Sequence, residues 1–233
     1  MVLNGGCIGC RLPVMPCEGL MTLFDFNYGL CFLVTSTLIN QSLAKKLPVI
    51  GAGQRMMLLK RVAFPDLVFP RWQSVLAISF IGVLFGLAPR LHAVPPDAPA
   101  WLGVVVGLVT GLLTTWAAFL VIVAVLRWWF KRGGRWDGQG DLFNLVAASW
   151  LMLDSFCANL MMLNAPPFLV LPFWLYSLWV GTKAMASAIP QASRGYCIAG
   201  IAIGLLPAIA AAGLVFALVR ALMTGLVPGG AGA

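Results

Sequence analysis

The sequence has few charged residues and a single histidine, and both shortages limit the class of protein that it can encode. Only 9% of its 233 residues are charged and 61% are hydrophobic, whereas a soluble domain carries about 25% charged residues. The composition therefore argues against a water-soluble domain. With His92 as the lone histidine and no HExxH motif, most hydrolytic centres cannot be assembled.

Cysteine is present, but its spacing does not complete a metal site. Cys7, Cys10 and Cys17 resemble part of a zinc site, yet structural zinc is normally held by four ligands, and a fourth is missing. Cys157 and Cys197 lie in predicted membrane helices, where cysteine behaves as a small hydrophobic residue. We therefore expect no metal and no other cofactor.

What the sequence does contain is long apolar stretches, five of them between Gln73 and Met223. The hydrocarbon layer of a bilayer is about 30 Å thick and is crossed by about 20 helical residues. A helix satisfies its own backbone hydrogen bonds in lipid. We predict an all-α integral membrane protein with a five-helix transmembrane bundle, and Asp141 is placed to cap the third helix. The predicted spans are residues 73–88, 101–130, 141–164, 168–188 and 196–223.

The segments that flank this bundle are less regular. Residues 1–55 form an N-terminal extension of uncertain status. It contains a candidate sixth hydrophobic helix over residues 20–39, interrupted by Asp25 and Asn27. The alternative is that translation starts at one of the two methionines that follow the extension. Residues 56–72 are predicted to lie on the membrane surface as an amphipathic segment, and residues 224–233 to form a flexible tail.

The basic residues are distributed unevenly across the five predicted spans. All but two of the 15 lysines and arginines fall on one side, and the exceptions are Arg90 and Arg220. Positive charge marks cytoplasmic loops, so we predict a cytoplasmic N-terminus and an external C-terminus. Because the cations flank apolar spans and form no continuous stripe, we expect membrane lipids and no nucleic acid as partners. The predicted cytoplasmic basic surface comprises Lys60, Arg61, Arg71, Arg127, Lys131, Arg132 and Arg135.

Three of the polar residues inside the predicted spans form a candidate intramembrane cluster: Asp154 and Asn159 in the third span, and Lys183 in the fourth. A charge in the membrane costs at least about 3 kcal/mol, so such residues are usually paired or functional. One interpretation is structural, with Asp154 and Lys183 paired. In another, the lysine extends to the headgroups and a neutral Asp154 bonds a neighbour. The third is a solute or proton pathway.

Small residues recur at four-residue spacing in three predicted spans. Such stripes let helix backbones approach closely in lipid. Packing within the bundle is one use, and a homo-oligomer is the other, with the Gly103 series as its best candidate. The stripes comprise Gly82 and Gly86, then Gly103, Gly107 and Gly111, then Gly200, Gly204 and Ala208.

Four features together resemble a known membrane family. They are an amphipathic lead-in, a glycine-rich loop, a tight hairpin of the third and fourth spans, and a polar turn before a long final span. The residues are 58–72, Gly133-Gly134-Arg135 with Gly138 and Gly140, Asp141-Leu142-Phe143, 178–184, and Ser193-Arg194-Gly195-Tyr196. On these residues the chain resembles the Yip (Ypt/Rab-interacting protein) domain proteins, bacterial type, over residues 56–223. The resemblance implies a non-enzymatic adaptor or organiser of membrane assemblies.

The sequence supports three function hypotheses. The first is a non-enzymatic inner-membrane adaptor that binds protein partners or lipids through the cytoplasmic basic surface and helix faces. The second is a small transporter or channel component that uses Asp154, Asn159 and Lys183. The third, an enzyme acting on a lipid, is disfavoured because no catalytic cluster is recognisable. We expect a multi-pass protein of the cell membrane, the inner membrane in a bacterium.

Overall fold

Helices form the regular structure of residues 46–88 and 100–226, the two ranges that the computed structural model describes. No strand occurs within these ranges. The helices, numbered in chain order, are α1 (Pro48–Met57), a 3-10 helix (Phe64–Leu67), α2 (Arg71–Gly86), α3 (Ala100–Arg132), α4 (Leu142–Met162), α5 (Pro167–Ala188) and α6 (Arg194–Leu226). The predicted all-α fold is confirmed for the described part of the chain.

Four of these helices, α3 to α6, are long and apolar enough to cross a membrane. The 21 residues of α4 and the 22 of α5 extend about 32 Å at 1.5 Å per residue. The chain is thus a multi-pass membrane protein. The first predicted span forms α2, whose 16 residues extend only about 24 Å. Four of the five predicted spans therefore have full membrane-crossing length.

Local chemistry explains where α4 and α5 begin. The Asp141 carboxylate accepts hydrogen bonds from the backbone N–H groups of Phe143 (3.1 Å) and Asn144 (3.4 Å), which confirms the predicted N-cap. Asn164 ends the α4 turn with a φ of 54°, a left-handed conformation that asparagine tolerates. Pro167 then starts α5, where its fixed φ suits the first helical turn and its missing N–H is not needed.

The helices pack as two linked layers. α3 packs along α6 and α2, while α4 packs along α5 and α2. Contacts between α3 and α4, and between α5 and α6, are much sparser. Because α2 bridges the two layers while the remaining faces stay apart, space is left in the middle of the bundle.

Glycines allow the closest of these helix contacts. A Cβ added to Gly86 would lie 2.6 Å from the carbonyl oxygen of Gly107, and one added to Gly82 would lie 2.9 Å from the Cα of Leu112. Gly82 and Gly86 of α2 therefore face the backbone of α3, and larger residues at these positions would keep the two helices apart. Gly200 in α6 instead faces a side chain, because a Cβ there would lie 2.7 Å from the Trp129 indole. Assembly of copies through the Gly103 series stays a prediction.

The chain before α2 is anchored on the bundle. In α1, Val49, Ile50 and Met56 are buried, and the helix packs against α4. Of the following segment, Leu67 is buried whereas Val68 is 86% exposed, so it has one buried and one open side. Its predicted position at the membrane surface stays a prediction. The candidate helix over residues 20–39, the cysteines before it, His92 and the tail after residue 226 lie outside the described residues.

Candidate functional site

Several helix ends meet at one end of the bundle, here called the basic end. Arg71 at the start of α2 contacts Asp141 before α4, with 2.8 Å between Nε and Oδ2. The Tyr196 hydroxyl, at the start of α6, donates to the carbonyl of Trp129 near the end of α3 at 2.8 Å. The Ser187 hydroxyl, near the end of α5, donates to the carbonyl of Val62. These contacts bring the loops before α2, α4 and α6 together.

The basic end carries an unbalanced positive charge. All seven residues of the predicted basic surface are exposed, and in the described ranges only Arg71 forms an ion pair. The hydrogen bond to Asp141 and its negative charge raise the pKa of the Arg71 guanidinium. Asp66 accepts a bond from the Ala63 N–H, and Asp137 from the Gln139 N–H. The nearby carboxylates therefore serve local backbone, and most of the cations stay available.

The loop between α3 and α4 is held in a defined shape. The Trp136 indole is buried, donates to the carbonyl of Gln139 at 2.6 Å, and stacks on Phe64 with 6.5 Å between ring centroids. Gly140 has a φ of 82°, a conformation that glycine adopts at little cost, and its Cα faces the Phe64 ring. Arg135 donates to the carbonyl of Gln191. The loop thus links the 3-10 helix to the turn before α6.

A second feature is a cavity of about 520 Å³ inside the bundle, bounded by residues of α2, α3, α4, α5 and α6. It occupies the space between the two helix layers. Its walls are mostly apolar, as expected between membrane helices. The polar side chains in its lining are Thr114, Thr115, Ser149, Asp154 and Ser177. Most prominent is Asp154, the only carboxyl group in the lining.

Asp154 has one direct partner in the described structure. It is only 9% exposed, and both of its carboxyl oxygens lie near the Ser177 hydroxyl, at 3.2 and 3.3 Å. The hydroxyls of Ser149 and Thr114 instead donate to backbone carbonyls of their own helices. One serine proton is therefore shared between two carboxyl oxygens, which leaves most of the hydrogen-bonding capacity of Asp154 unused.

The other two residues of the predicted polar cluster lie outside the cavity lining. Asn159 donates to the carbonyl of Ser155 in its own helix at 2.9 Å, and its Oδ1 and the Ser155 hydroxyl are buried without a partner. Lys183 is partly buried and forms no ion pair with Asp154, since the described residues contain a single ion pair elsewhere. The structure does not join the three residues into one site.

Sequence reasoning missed Ser177, although a signal was present. In a tight helical hairpin, residues at equal distances from the turn lie side by side. Asp154 lies 12 residues before Pro166, Ser177 lies 11 after it, and Lys183 lies 17 after it. The hairpin register therefore points to Ser177. No group of histidine, cysteine or acidic residues that could hold a metal occurs in residues 46–88 and 100–226.

Comparison with known proteins produced no match. No family model fits the sequence, and neither a curated protein nor a solved structure is detectably similar to it. Its own structure therefore places the chain as a multi-pass membrane protein, with helices as the regular structure of residues 46–88 and 100–226. The resemblance to the Yip domain family stays a prediction.

Proposed function

We propose that this chain is a non-enzymatic membrane adaptor, which binds anionic groups of lipids or partner proteins at its basic end. The observation that carries the proposal is the charge imbalance there: seven exposed cations against a single ion pair. A cation near an anionic membrane surface is worth about 1 kcal/mol, so several act together. The Yip resemblance points to the same class of function. In a bacterium, the protein would be located in the inner membrane.

The proposed function goes with a topology in which α2 crosses the membrane as a short fifth span. α2 starts at the basic end and packs along α3, and Leu76 on its outer side is 58% exposed, as a lipid-facing residue would be. Five spans put the basic end in the cytoplasm with the N-terminus, and the C-terminus outside. Reporter proteins fused after α6 test this topology. A C-terminal alkaline phosphatase is expected to be active, and a C-terminal fluorescent protein is expected to be dark. The reverse result would refute the topology.

The binding function is tested by removing charge without changing the fold. The variant carries Lys60→Gln, Arg61→Gln, Lys131→Gln and Arg132→Gln, all exposed positions. The matched control is Arg220→Gln, an exposed cation in the last turns of α6. Both chains are purified in mild detergent, and the retained lipids and proteins are quantified by mass spectrometry.

The affinity of the quadruple variant for anionic lipids or for its protein partner is expected to fall about fivefold for each removed charge that contacts them, because each charge contributes about 1 kcal/mol. The control is expected to match the native chain. Equal retention by the quadruple variant and the native chain would refute the proposal. Loss of lipid alone, or of a protein alone, identifies which kind of partner the basic end binds.

The transporter hypothesis remains the second candidate, and the cavity is the observation that favours it. Only Asp154 of its three predicted residues lines that cavity. A pathway through Asp154, Asn159 and Lys183 together has less support than binding of a solute at Asp154 alone.

A further inference from the structure

The cavity lining has a particular chemical composition. Four aromatic side chains, Phe85, Trp150, Trp174 and Phe216, line it together with the Asp154 carboxyl group. No lysine, arginine or histidine is among the lining residues. The faces of aromatic rings attract cations, and a buried carboxylate is stable only when a positive charge or hydrogen bonds compensate it. The cavity therefore offers negative potential and supplies no positive charge of its own.

Part of the space exists because side chains are missing. A Cβ added to Gly213 in α6 would have no neighbour within 4 Å, and one added to Gly181 in α5 would meet only the Ser149 hydroxyl, at 3.8 Å. Both glycines line the cavity. They therefore differ from Gly82 and Gly86, which bring helix backbones together. Their absent side chains leave room that a ligand can fill.

We propose that this cavity binds an organic cation with a large apolar body. The Asp154 carboxylate would compensate the cation, the aromatic rings would contact its apolar part, and Ser177 would hold the carboxylate in place. The volume of about 520 Å³ falls in the range of about 300–1,000 Å³ typical of sites for drug-sized ligands. A neutral acyl chain needs no carboxylate, and an anion would be repelled by it. The inference is independent of the basic end.

Two probes of nearly equal shape and opposite charge test the proposal directly. They are tetraphenylphosphonium, a cation, and tetraphenylborate, an anion. Binding of each radiolabelled probe to the purified full chain in detergent is measured by equilibrium dialysis, after subtraction of the uptake by empty micelles. Saturable binding of about one phosphonium per chain is expected, with no saturable binding of the borate. Binding of both probes, or of neither, would overturn the proposal.

Variants then place the bound cation in the cavity. Asp154→Asn keeps an oxygen for Ser177 but removes the charge, so phosphonium affinity should fall at least tenfold. The matched control, Asp137→Asn, removes an exposed carboxylate in the α3–α4 loop and should leave the affinity unchanged. Gly213→Trp fills the cavity and should abolish binding while the chain stays monodisperse.

Unchanged binding by either cavity variant would refute the assignment. If Asp154→Asn does not fold, the Gly213→Trp result decides alone. The quadruple charge variant of the basic end is expected to bind phosphonium normally. Failure of the cavity proposal and failure of the adaptor proposal are therefore separate results.

Discussion

The Asn144 side chain is predicted to be one of the main polar contributors to stability, because it joins three segments in the buried part of the bundle. It is only 2% exposed. Its Oδ1 accepts from the Ser74 hydroxyl of α2 at 2.7 Å. Its Nδ2 donates to the carbonyls of Leu67 (3.2 Å) and Phe69 (2.9 Å). One amide thus ties α4 to α2 and to the segment that precedes it.

The cost of Asn144→Ala follows from these three bonds. The change leaves two carbonyls and one hydroxyl without their partner, and a buried hydrogen bond contributes about 1 kcal/mol net. We expect a loss of about 3 kcal/mol in the free energy of unfolding. For a chain of this size, that lowers the melting temperature by roughly 6–12 °C. Circular dichroism at 222 nm, followed against temperature in detergent, measures the shift.

Asn159→Ala is the matched control, because Asn159 is an asparagine of the same helix and is equally buried, at 3% exposed. It makes one hydrogen bond, within its own helix, and its Oδ1 is unpaired. We expect Asn159→Ala to cost about 2 kcal/mol less than Asn144→Ala, from about 1 kcal/mol for each hydrogen bond. Equal melting temperatures for the two variants would show that hydrogen bonds between segments do not dominate the contribution of Asn144.

Two further predictions concern a helix start and a helix contact. Asp141→Ala should cost about 1 kcal/mol, because the α4 N-terminus loses its cap. Asp141→Asn should cost clearly less stability, because its amide oxygen can still accept the capping hydrogen bonds. If thermal unfolding shows equal losses of stability for the two variants, the exposed ion pair with Arg71, and not the cap, accounts for the effect. Gly111→Ala should cost at least about 1–3 kcal/mol, because a Cβ there overlaps the α2 backbone. Gly213→Ala should be neutral or stabilising, because the space around an added Cβ is open. Equal shifts in melting temperature for Gly111→Ala and Gly213→Ala would contradict the close α2–α3 contact.

The helix positions could be predicted closely because their signals are local. The predicted span 101–130 became α3 at Ala100–Arg132, and the span 168–188 became α5 at Pro167–Ala188. Asp141 was predicted as a cap from its place before an apolar run, and its carboxylate caps α4. The first span, predicted over residues 73–88, became α2 at Arg71–Gly86, and its 16 residues are fewer than the roughly 20 that cross the hydrocarbon layer.

The cavity could not be predicted, because it depends on how each helix is rotated about its axis. Asp154 was recognised from its sequence context alone. Its hydrogen-bond partner, Ser177, requires the register of the α4–α5 hairpin. The contact of Gly86 with Gly107 requires the face at which α2 meets α3. None of these relationships is contained in a single segment.

Local signals were enough to predict a helical membrane protein, the approximate ends of its long helices and the residues that carry its positive charge. Hydropathy, prolines and a capping carboxylate act within one segment, so they can be interpreted without a fold. Only the packed bundle shows which helix faces meet, which glycines serve those contacts, and where a cavity with one carboxyl group remains. This is because membrane helices are apolar on nearly every side. Their inward faces are set by side-chain packing between helices, a property of pairs of segments.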